Sequence, residues 1–162
     1  MMITVWIIAT VAVVIAASVV AGRMGALSGR QPDNLGLREG KLKPPSKTPN
    51  SVSSQAALWP EHPQRERAAI APLAVRGDGP ATMARLAVVI EAMQGARIVE
   101  RRPDYLYAQY TTELMRFVDD VEFWFDPAAG VIQVRSASRI GHGDRGVNRA
   151  RIEEIRARLA AD

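Results

Sequence analysis

Apolar residues are concentrated in one stretch at the N-terminus. Residues 3–21 are interrupted only by the hydroxyl residues Thr4, Thr10 and Ser18, which can bond back to helix carbonyls. At about 1.5 Å per residue, a helix of this length can cross a hydrocarbon core of about 30 Å. Trp6 has the position of an aromatic residue at a membrane interface. The pattern therefore predicts a transmembrane anchor over residues 1–22.

A cleaved signal peptide is the alternative, because Val19, Val20 and Ala21 before Gly22 resemble a small-residue cleavage site. No lysine or arginine precedes the stretch, and it is longer than the usual apolar core of a signal peptide, so a retained anchor is favoured. Basic residues follow from Arg23 onward, and the positive-inside rule favours the cytoplasm for the soluble domain. We expect a single-pass protein of the cell membrane, with the side of the domain left open.

The pattern changes after Gly22, where glycine, proline, serine and asparagine become frequent. Residues 23–78 contain the sequence PNSVSSQ, and each of their prolines fixes its own backbone and restricts the preceding residue. These prolines are Pro32, Pro44, Pro45, Pro49, Pro60, Pro63 and Pro72. We predict a Pro/Gly-rich linker that forms an extended tether, partly laid along the domain surface.

A third pattern, in which helical and strand periods follow each other, covers residues 79–162. Asp78 can cap a helix and Pro80 suits its first turn, while Gly95 is the expected stop. The apolar stripe of this helix consists of Met83, Leu86, Ala87, Ile90 and Met93.

Strand periods follow this helix. Strands are predicted over residues 96–100 and 105–113, and apolar and polar residues then alternate from Val121 to Asp126. A turn over residues 127–130 and a strand over 131–138 complete an antiparallel hairpin, with Ile132 and Val134 on one face.

The last helix is predicted over residues 144–160 with Asp144 as its cap. Its apolar stripe is Val147, Ile152, Ile155 and Leu159, and the expected ion pairs are Arg149–Glu153 and Glu154–Arg158. The fold class is therefore α+β: a small antiparallel sheet with helices packed on one face, preceded by one transmembrane helix and a Pro-rich tether.

Composition narrows the chemistry. The chain of 162 residues has a formal charge of +4 and no cysteine, which excludes disulfides, thiolate metal sites and a cysteine nucleophile. Its two histidines, His62 and His142, are isolated, so we expect no metal and no cofactor. No glycine-rich phosphate loop is present, and nucleic acid is not an expected partner of a membrane-anchored chain of this kind.

The stretch from Arg135 to Arg151 passes from a strand through a glycine turn into a helix. Such a junction presents free backbone amides, and arginines beside it can hold a phosphate or carboxylate. The candidate ligand-binding residues are Arg135, Ser136, Ser138, Arg139, Asp144, Asn148 and Arg149.

Two other interpretations of this stretch remain open. Its arginines can pair with acidic residues in a structural network, in which Asp119 and Asp120 are turn or network residues. These two carboxylates are adjacent, so on a strand they point to opposite faces and cannot act together on one atom. A weaker hypothesis is a hydrolase that uses Ser136 or Ser138 with His142. We expect no catalytic residue.

The segments PNSVSSQA, FVDDVEFWFDPAAGVIQVRSASRIG and GDRGVNRARIEEIRARL resemble the bacterial and plastid domain-of-unknown-function family numbered 1499. The resemblance covers roughly residues 32–159. It implies membrane association without an established activity, and it adds Asn50, Ser53 and Ser54 to the network candidates. Relatives carry two cysteines where this chain has Pro45 and Ser51, so a thiol role implied by the family cannot operate here.

These observations predict a membrane-tethered, non-catalytic interaction domain, an accessory subunit of a membrane complex with a membrane protein as partner. The alternative is an anion or lipid-headgroup binding module at the strand-to-helix junction between Arg139 and Asp144.

Overall fold

The computed structural model describes residues 2–161. Its first element is helix α1, Met2–Arg23, whose apolar side chains are exposed along almost all of its length. The hydroxyl of Thr10 donates to the Trp6 carbonyl and that of Ser18 to the Val14 carbonyl, so neither interrupts the helix. By length and composition α1 is able to cross a membrane, although a signal sequence has the same properties.

The body of the molecule is an antiparallel sheet with helices, as the α+β prediction requires. The strands are β1 (Ser51–Ser53), β2 (Leu73–Ala74), β3 (Ala96–Arg101), β4 (Tyr105–Thr111), β5 (Val118–Asp126) and β6 (Val131–Ser138). Their order is β1-β6-β5-β4-β3, and β2 pairs with the other end of the same edge of β6. The sheet therefore has one free edge, β3, which is irregular between Ile98 and Glu100.

The hairpin of β5 and β6 is confirmed. Its register runs from Asp126 opposite Val131 to Asp119 opposite Ser138. β5 begins at Val118, earlier than the alternation predicts, because Val118 pairs with Thr111 of β4. Asp119 and Asp120 are thus strand residues, not turn residues, and they do lie on opposite faces.

Helix α3, Gly79–Glu91, packs on one face of the sheet and is capped as predicted. The Asp78 carboxylate accepts the amide of Ala81 at 2.9 Å. The helix ends at Glu91, before the expected stop, and Gly95 belongs to the turn into β3. Its φ of 75° is left-handed, and a Cβ there would lie 2.4 Å from the Thr111 carbonyl oxygen.

Helix α4, Val147–Ala161, packs beside α3 but begins later than predicted. Arg145 and Gly146 have φ values of 51° and 85°, which are incompatible with a helical turn. Val147 is consequently exposed, whereas the rest of the predicted stripe is buried.

The ion pairs on α4 differ in part from those predicted. Glu154 and Arg158 do pair, at 2.7 Å. Glu153 pairs with Arg156 at 2.9 Å, and Arg149 instead donates to the carbonyls of Arg67 and Ala69. The short helix α2, Arg65–Ala68, is in this way joined to α4.

The main apolar core lies between the sheet and helices α3 and α4. Its fully buried members include Leu86, Ile90, Phe123, Ile132 and Ile155. Because β5 and β6 alternate, the other side chains of these strands point to the opposite face of the sheet.

The opposite face is covered by residues 31–48, which we call the cover segment. Leu42 of this segment is 1% exposed and packs with Tyr105 and Tyr107, and Leu35 and Leu37 pack against the same cluster. The cover segment forms no strand or helix, apart from an isolated bridge between Arg38 and Lys41.

The region predicted as a linker, residues 23–78, thus contributes to the folded body. It contains β1, β2, α2 and a 3₁₀ helix at Ala56–Leu58. Its apolar residues Val52 and Leu73 are buried in the main core. These strands are only two or three residues long, too short to show a period.

Candidate functional site

A first polar network lies on the helix-bearing face of the sheet, which we call the Asp119 network. Arg151 Nη2 donates to the Asp119 carboxylate at 2.5 Å. Arg151 Nη1 donates to Ser136 Oγ at 3.0 Å and to Asn148 Oδ1 at 2.8 Å. The Ser136 hydroxyl also donates to Asn148 Oδ1. All four side chains are buried, so strands β5 and β6 are locked to α4.

Asn148 extends this network to the β6–α4 loop. Its side-chain nitrogen donates to the Asn50 carbonyl, Ser138 Oγ and Asp144 Oδ2, all within 3.0 Å. Burial acts to raise the pKa of Asp144, but the bonds from Gly146 and Asn148 outweigh it and hold that pKa below its usual value. The Asp144 carboxylate is thereby kept charged at the start of α4.

A second network lies on the covered face, around Asp120. Arg139 binds this carboxylate with two nitrogens, at 2.9 and 2.7 Å. The Tyr107 hydroxyl donates to Asp120 Oδ1 and accepts from Gln109. Burial, together with the bond to Asp120, raises the pKa of Tyr107 to about 12, while the bond to Asp120 raises that of Arg139. Both groups are fixed in their ordinary protonation states.

Glu122 and Arg135 form a third buried pair on the same face. Glu122 Oε1 accepts the amide of Gly36 at 2.6 Å and the hydroxyl of Tyr105 at 2.8 Å. Its Oε2 lies 3.7 Å from Arg135 Nη1, too far for a hydrogen bond, and Arg135 Nε donates to the Pro44 carbonyl. Burial raises the pKa of Glu122 and lowers that of Arg135. Glu122 and Arg135 thus form a desolvated ion pair within the sheet, and each also binds the backbone of the cover segment.

The structure does not bring the seven predicted ligand residues into one site. Ser136, Ser138, Asp144 and Asn148 belong to the Asp119 network, whereas Arg135 and Arg139 lie on the other face of the sheet. Arg149 donates to the carbonyls of Arg67 and Ala69, and among residues 2–161 it forms no hydrogen bond with either network. The Arg139 guanidinium is bonded to the Asp120 carboxylate, and that of Arg135 lies beside Glu122, which leaves the junction little capacity for an added anion.

The expected network residues of the PNSVSSQ motif lie beside β6. Asn50 donates to the Ser138 and Gly141 carbonyls, while its Oδ1 is buried without a partner among residues 2–161. Ser54 Oγ donates to Gln133 and accepts the amide of Val134. Ser53 is fully buried and accepts the amide of Gln55. These contacts attach the motif to the edge of the sheet.

The serine–histidine pairs of the hydrolase hypothesis do not meet the geometry of a nucleophile and its base. Ser136 is fully buried and bonded to Asn148 and Arg151. His142 is exposed, and within the described chain it forms no hydrogen bond with either serine. Residues 2–161 also contain no group of three potential metal ligands.

A cleft of about 880 Å³ opens between α4, the C-terminal end of α3 and the end of β4. Tyr110 and Arg151 form its floor, with the guanidinium 4.5 Å from the ring centroid. Its other lining residues are Met93, Gln94, Gly95, Thr111, Thr112, Glu113, Arg116, Val147, Ala150, Glu154 and Arg158. Neither this cleft nor the part that Arg151 plays in it was predicted from the sequence. The sequence does contain one indication that Arg151 is buried: its spacing of three residues after Asn148 and four before Ile155 places it on the buried stripe of α4.

The chain matches a protein-family profile. The profile described as "Protein of unknown function (DUF1499)" covers residues 41–159. The chain belongs to the DUF1499 family. The DUF1499 match spans the polar networks and the cleft, and it begins within the cover segment, after α1. No curated protein matches this chain. No solved structure matches it either.

Proposed function

We propose that this protein is a membrane-anchored, non-catalytic binding domain, an accessory subunit that recruits a membrane protein through the cleft beside α4. The observation that carries the proposal is α1, an apolar helix of 22 residues that the folded body leaves uncovered.

The exposure of α1 is the argument for a membrane. Ile3, Trp6 and Ile7 are 76%, 69% and 59% exposed. A continuous apolar surface of this extent is not stable in water and marks contact with a membrane or another protein. A bilayer covers every side of a helix, as the all-round apolar character of α1 requires. Arg23 follows the apolar stretch and favours the cytoplasmic side for the folded body.

The chemistry of the cleft favours a protein partner over a free anion. Its floor contains apolar and aromatic surface from Met93 and Tyr110, and its rim carries both Glu113 and Arg116. Concave sites with an apolar floor and a few convergent polar groups are typical binding sites. Because charges of both signs lie at the rim, the surface fits a peptide or protein segment of mixed charge.

The test is to isolate the full-length protein from its own membrane in mild detergent and identify its stoichiometric companions by mass spectrometry. Ala150→Arg places a long side chain in the cleft from an exposed position of α4. Ala157→Arg is the matched control, because it makes the same change at an exposed position of α4 outside the cleft.

We expect a partner that remains with the wild type and the Ala157→Arg variant and is lost from Ala150→Arg. A partner retained by all three contradicts the role of the cleft. Recovery of the intact protein, with α1, in the soluble fraction contradicts the anchor.

A further inference from the structure

The C-terminal end of α1 is fixed to the loop between β4 and β5. Gly22 is buried against this loop, and a Cβ at that position would lie 2.5 Å from the carbonyl oxygen of Met115. After α1, the Ser28 hydroxyl donates to the Arg116 carbonyl at 3.3 Å. The β4–β5 loop therefore lies beside the last turn of α1, at the place where the helix joins the folded body.

This loop is internally bonded. The amide of Thr112 donates to the Phe117 carbonyl at 2.9 Å, and the amide of Phe117 donates back to Thr112 Oγ1 at the same distance. Arg116 has a left-handed φ of 57°, which turns the chain between Met115 and Phe117. The loop thus presents the intervening side chains in a defined arrangement.

The loop between β6 and α4 lies against the residues that follow α1. A Cβ at Gly29 would lie 2.7 Å from the Arg139 side chain and 2.8 Å from that of Ile140. The amide of Arg139 donates to the Val118 carbonyl, which connects this loop to the beginning of β5. The β4–β5 loop and the end of β6 therefore both border the exit of α1.

The residues around this exit are apolar and exposed. Met24 is 83% exposed, Leu114 is 56% exposed, and Phe117 and Ile140 are each 36% exposed. We call these four residues the shoulder. Single exposed apolar residues are ordinary on a protein surface, but here four of them surround the end of one uncovered apolar helix. Arg23 and Arg116 are exposed at the same place.

We propose that the shoulder is a second membrane-binding surface, which enters the headgroup region of the leaflet where α1 leaves the bilayer. This inference rests on the proposed anchoring by α1. The bilayer is the occupant because the shoulder continues the surface of α1 at the depth of its last turn. Apolar side chains there reach the acyl boundary, and the negative charge of anionic headgroups attracts Arg23 and Arg116.

One consequence is a fixed orientation of the body relative to the membrane. Arg116 belongs both to this exit and to the lining of the cleft. A body that rests on the shoulder therefore holds the cleft beside the bilayer surface, within reach of the membrane-proximal part of another membrane protein.

The absence of cysteine from the chain permits a direct depth measurement with single engineered cysteines. Leu114→Cys reports on the shoulder, Val11→Cys on the middle of α1, and Ala129→Cys on the turn at the opposite end of β5. Each full-length variant carries an environment-sensitive fluorophore in nanodiscs of phosphatidylcholine and phosphatidylglycerol that contain nitroxide-labelled lipid.

We expect the nitroxide lipid to remove most of the fluorescence at positions 11 and 114 and little of it at position 129. Quenching at 11 without quenching at 114 overturns the shoulder proposal and leaves the anchor intact. A lack of quenching at 11 overturns the anchor itself, so the two failures are distinct. Equal quenching at 114 in nanodiscs of phosphatidylcholine alone overturns the role given to the arginines.

Discussion

The two faces of the sheet are covered in different ways. One face carries α3 and α4 and is buried by a continuous apolar core that includes Leu86 and Phe123. The other face carries the cover segment, whose small apolar cluster centres on Leu42, beside the buried carboxylates of Asp120 and Glu122. Because successive side chains of a strand point to opposite faces, the same strands contribute residues to both faces.

The difference teaches that the two layers are held by different physics. Apolar burial is non-directional and accepts many sequences, so periodicity places most of the helical layer. The Asp119 network adds specific partners there only where α4 begins. Buried carboxylates and arginines need specific partners, because each unpaired charge in the interior costs several kcal/mol. The amide of Gly36 and the carbonyl of Pro44 supply such partners from the cover segment. The covered face is therefore specific to one path of the chain.

Glu122→Gln is the strongest test of this comparison. It keeps an oxygen for the amide of Gly36 and the hydroxyl of Tyr105, but it leaves the buried guanidinium of Arg135 without its carboxylate. We expect a loss of about 3–5 kcal/mol in the free energy of unfolding, measured by urea denaturation of the full-length protein in detergent.

The double variant Glu122→Gln/Arg135→Met is its control. It removes both charges, so it should be less destabilised than Glu122→Gln alone. A double variant at least as unstable as the single one would show that the charge pair is not what holds the cover segment.

Leu42→Ala tests the apolar part of the covered face. Leu42 is 1% exposed, and we expect its truncation to cost about 3 kcal/mol. Because the Leu42 amide donates to Gln55 and that of Gly36 to Glu122, hydrogen exchange at both amides should accelerate.

Leu86→Ala on α3 is the matched truncation in the main core. It should destabilise the protein to a similar extent. The amides of Gly36 and Leu42 should, however, still exchange only through global unfolding. Equal local exchange in both variants would mean that the two layers do not open separately.

Asp144→Ala addresses the start of α4, on the helical face. The charged Asp144 accepts the amides of Gly146 and Asn148, and its loss should cost about 1 kcal/mol at pH 6. Since its pKa is lower in the folded state, this stabilisation is present above the ordinary value of 3.8 and disappears as the pH falls through the folded pKa. Urea denaturation of both proteins should therefore converge at low pH. Asp33→Ala, at an exposed carboxylate, should show no such difference.

Glu154→Ala should have the smallest effect. Its partner Arg158 lies on the same exposed surface of α4, where solvent screens the pair, and we expect a loss of about 0.3 kcal/mol. Thermal unfolding at low and high salt should detect little change. A loss as large as that of Glu122→Gln would contradict the distinction between buried and exposed pairs.

The helical layer could be predicted from the sequence because its periods are long and regular. The stripe from Met83 to Met93 and the alternation from Val121 to Phe125 each repeat several times, and the structure confirms both. The covered face gave no such signal. The alternation places Glu122 on the face opposite Val121 and Phe123. The burial of Asp120 and Glu122 on that face follows only from their partners Gly36, Arg135 and Arg139. Leu42 is a single apolar residue in a proline-rich region.

The residue types of the polar networks could be predicted from the sequence, but the pairing of the residues could not. Carboxylates near Arg135 and Arg139 indicated ion pairs, but strand alternation placed these arginines apart from Ser136 and Asn148. The cleft was not predictable, because Tyr110 of β4 and Arg158 of α4 are brought together only by tertiary packing.

The free edge of the sheet has a consequence for crowding. A helix such as α1, when held in a bilayer, confines copies of the chain to a plane, where their edges meet more often than in bulk solution. β1 and β2 close one side of β6, and the open side, β3, carries Arg97, Glu100 and Arg101 and breaks its register after Ile98. Charge and irregularity at an edge oppose the addition of a foreign strand. The same features of β3 therefore oppose edge-to-edge pairing between two copies of the chain.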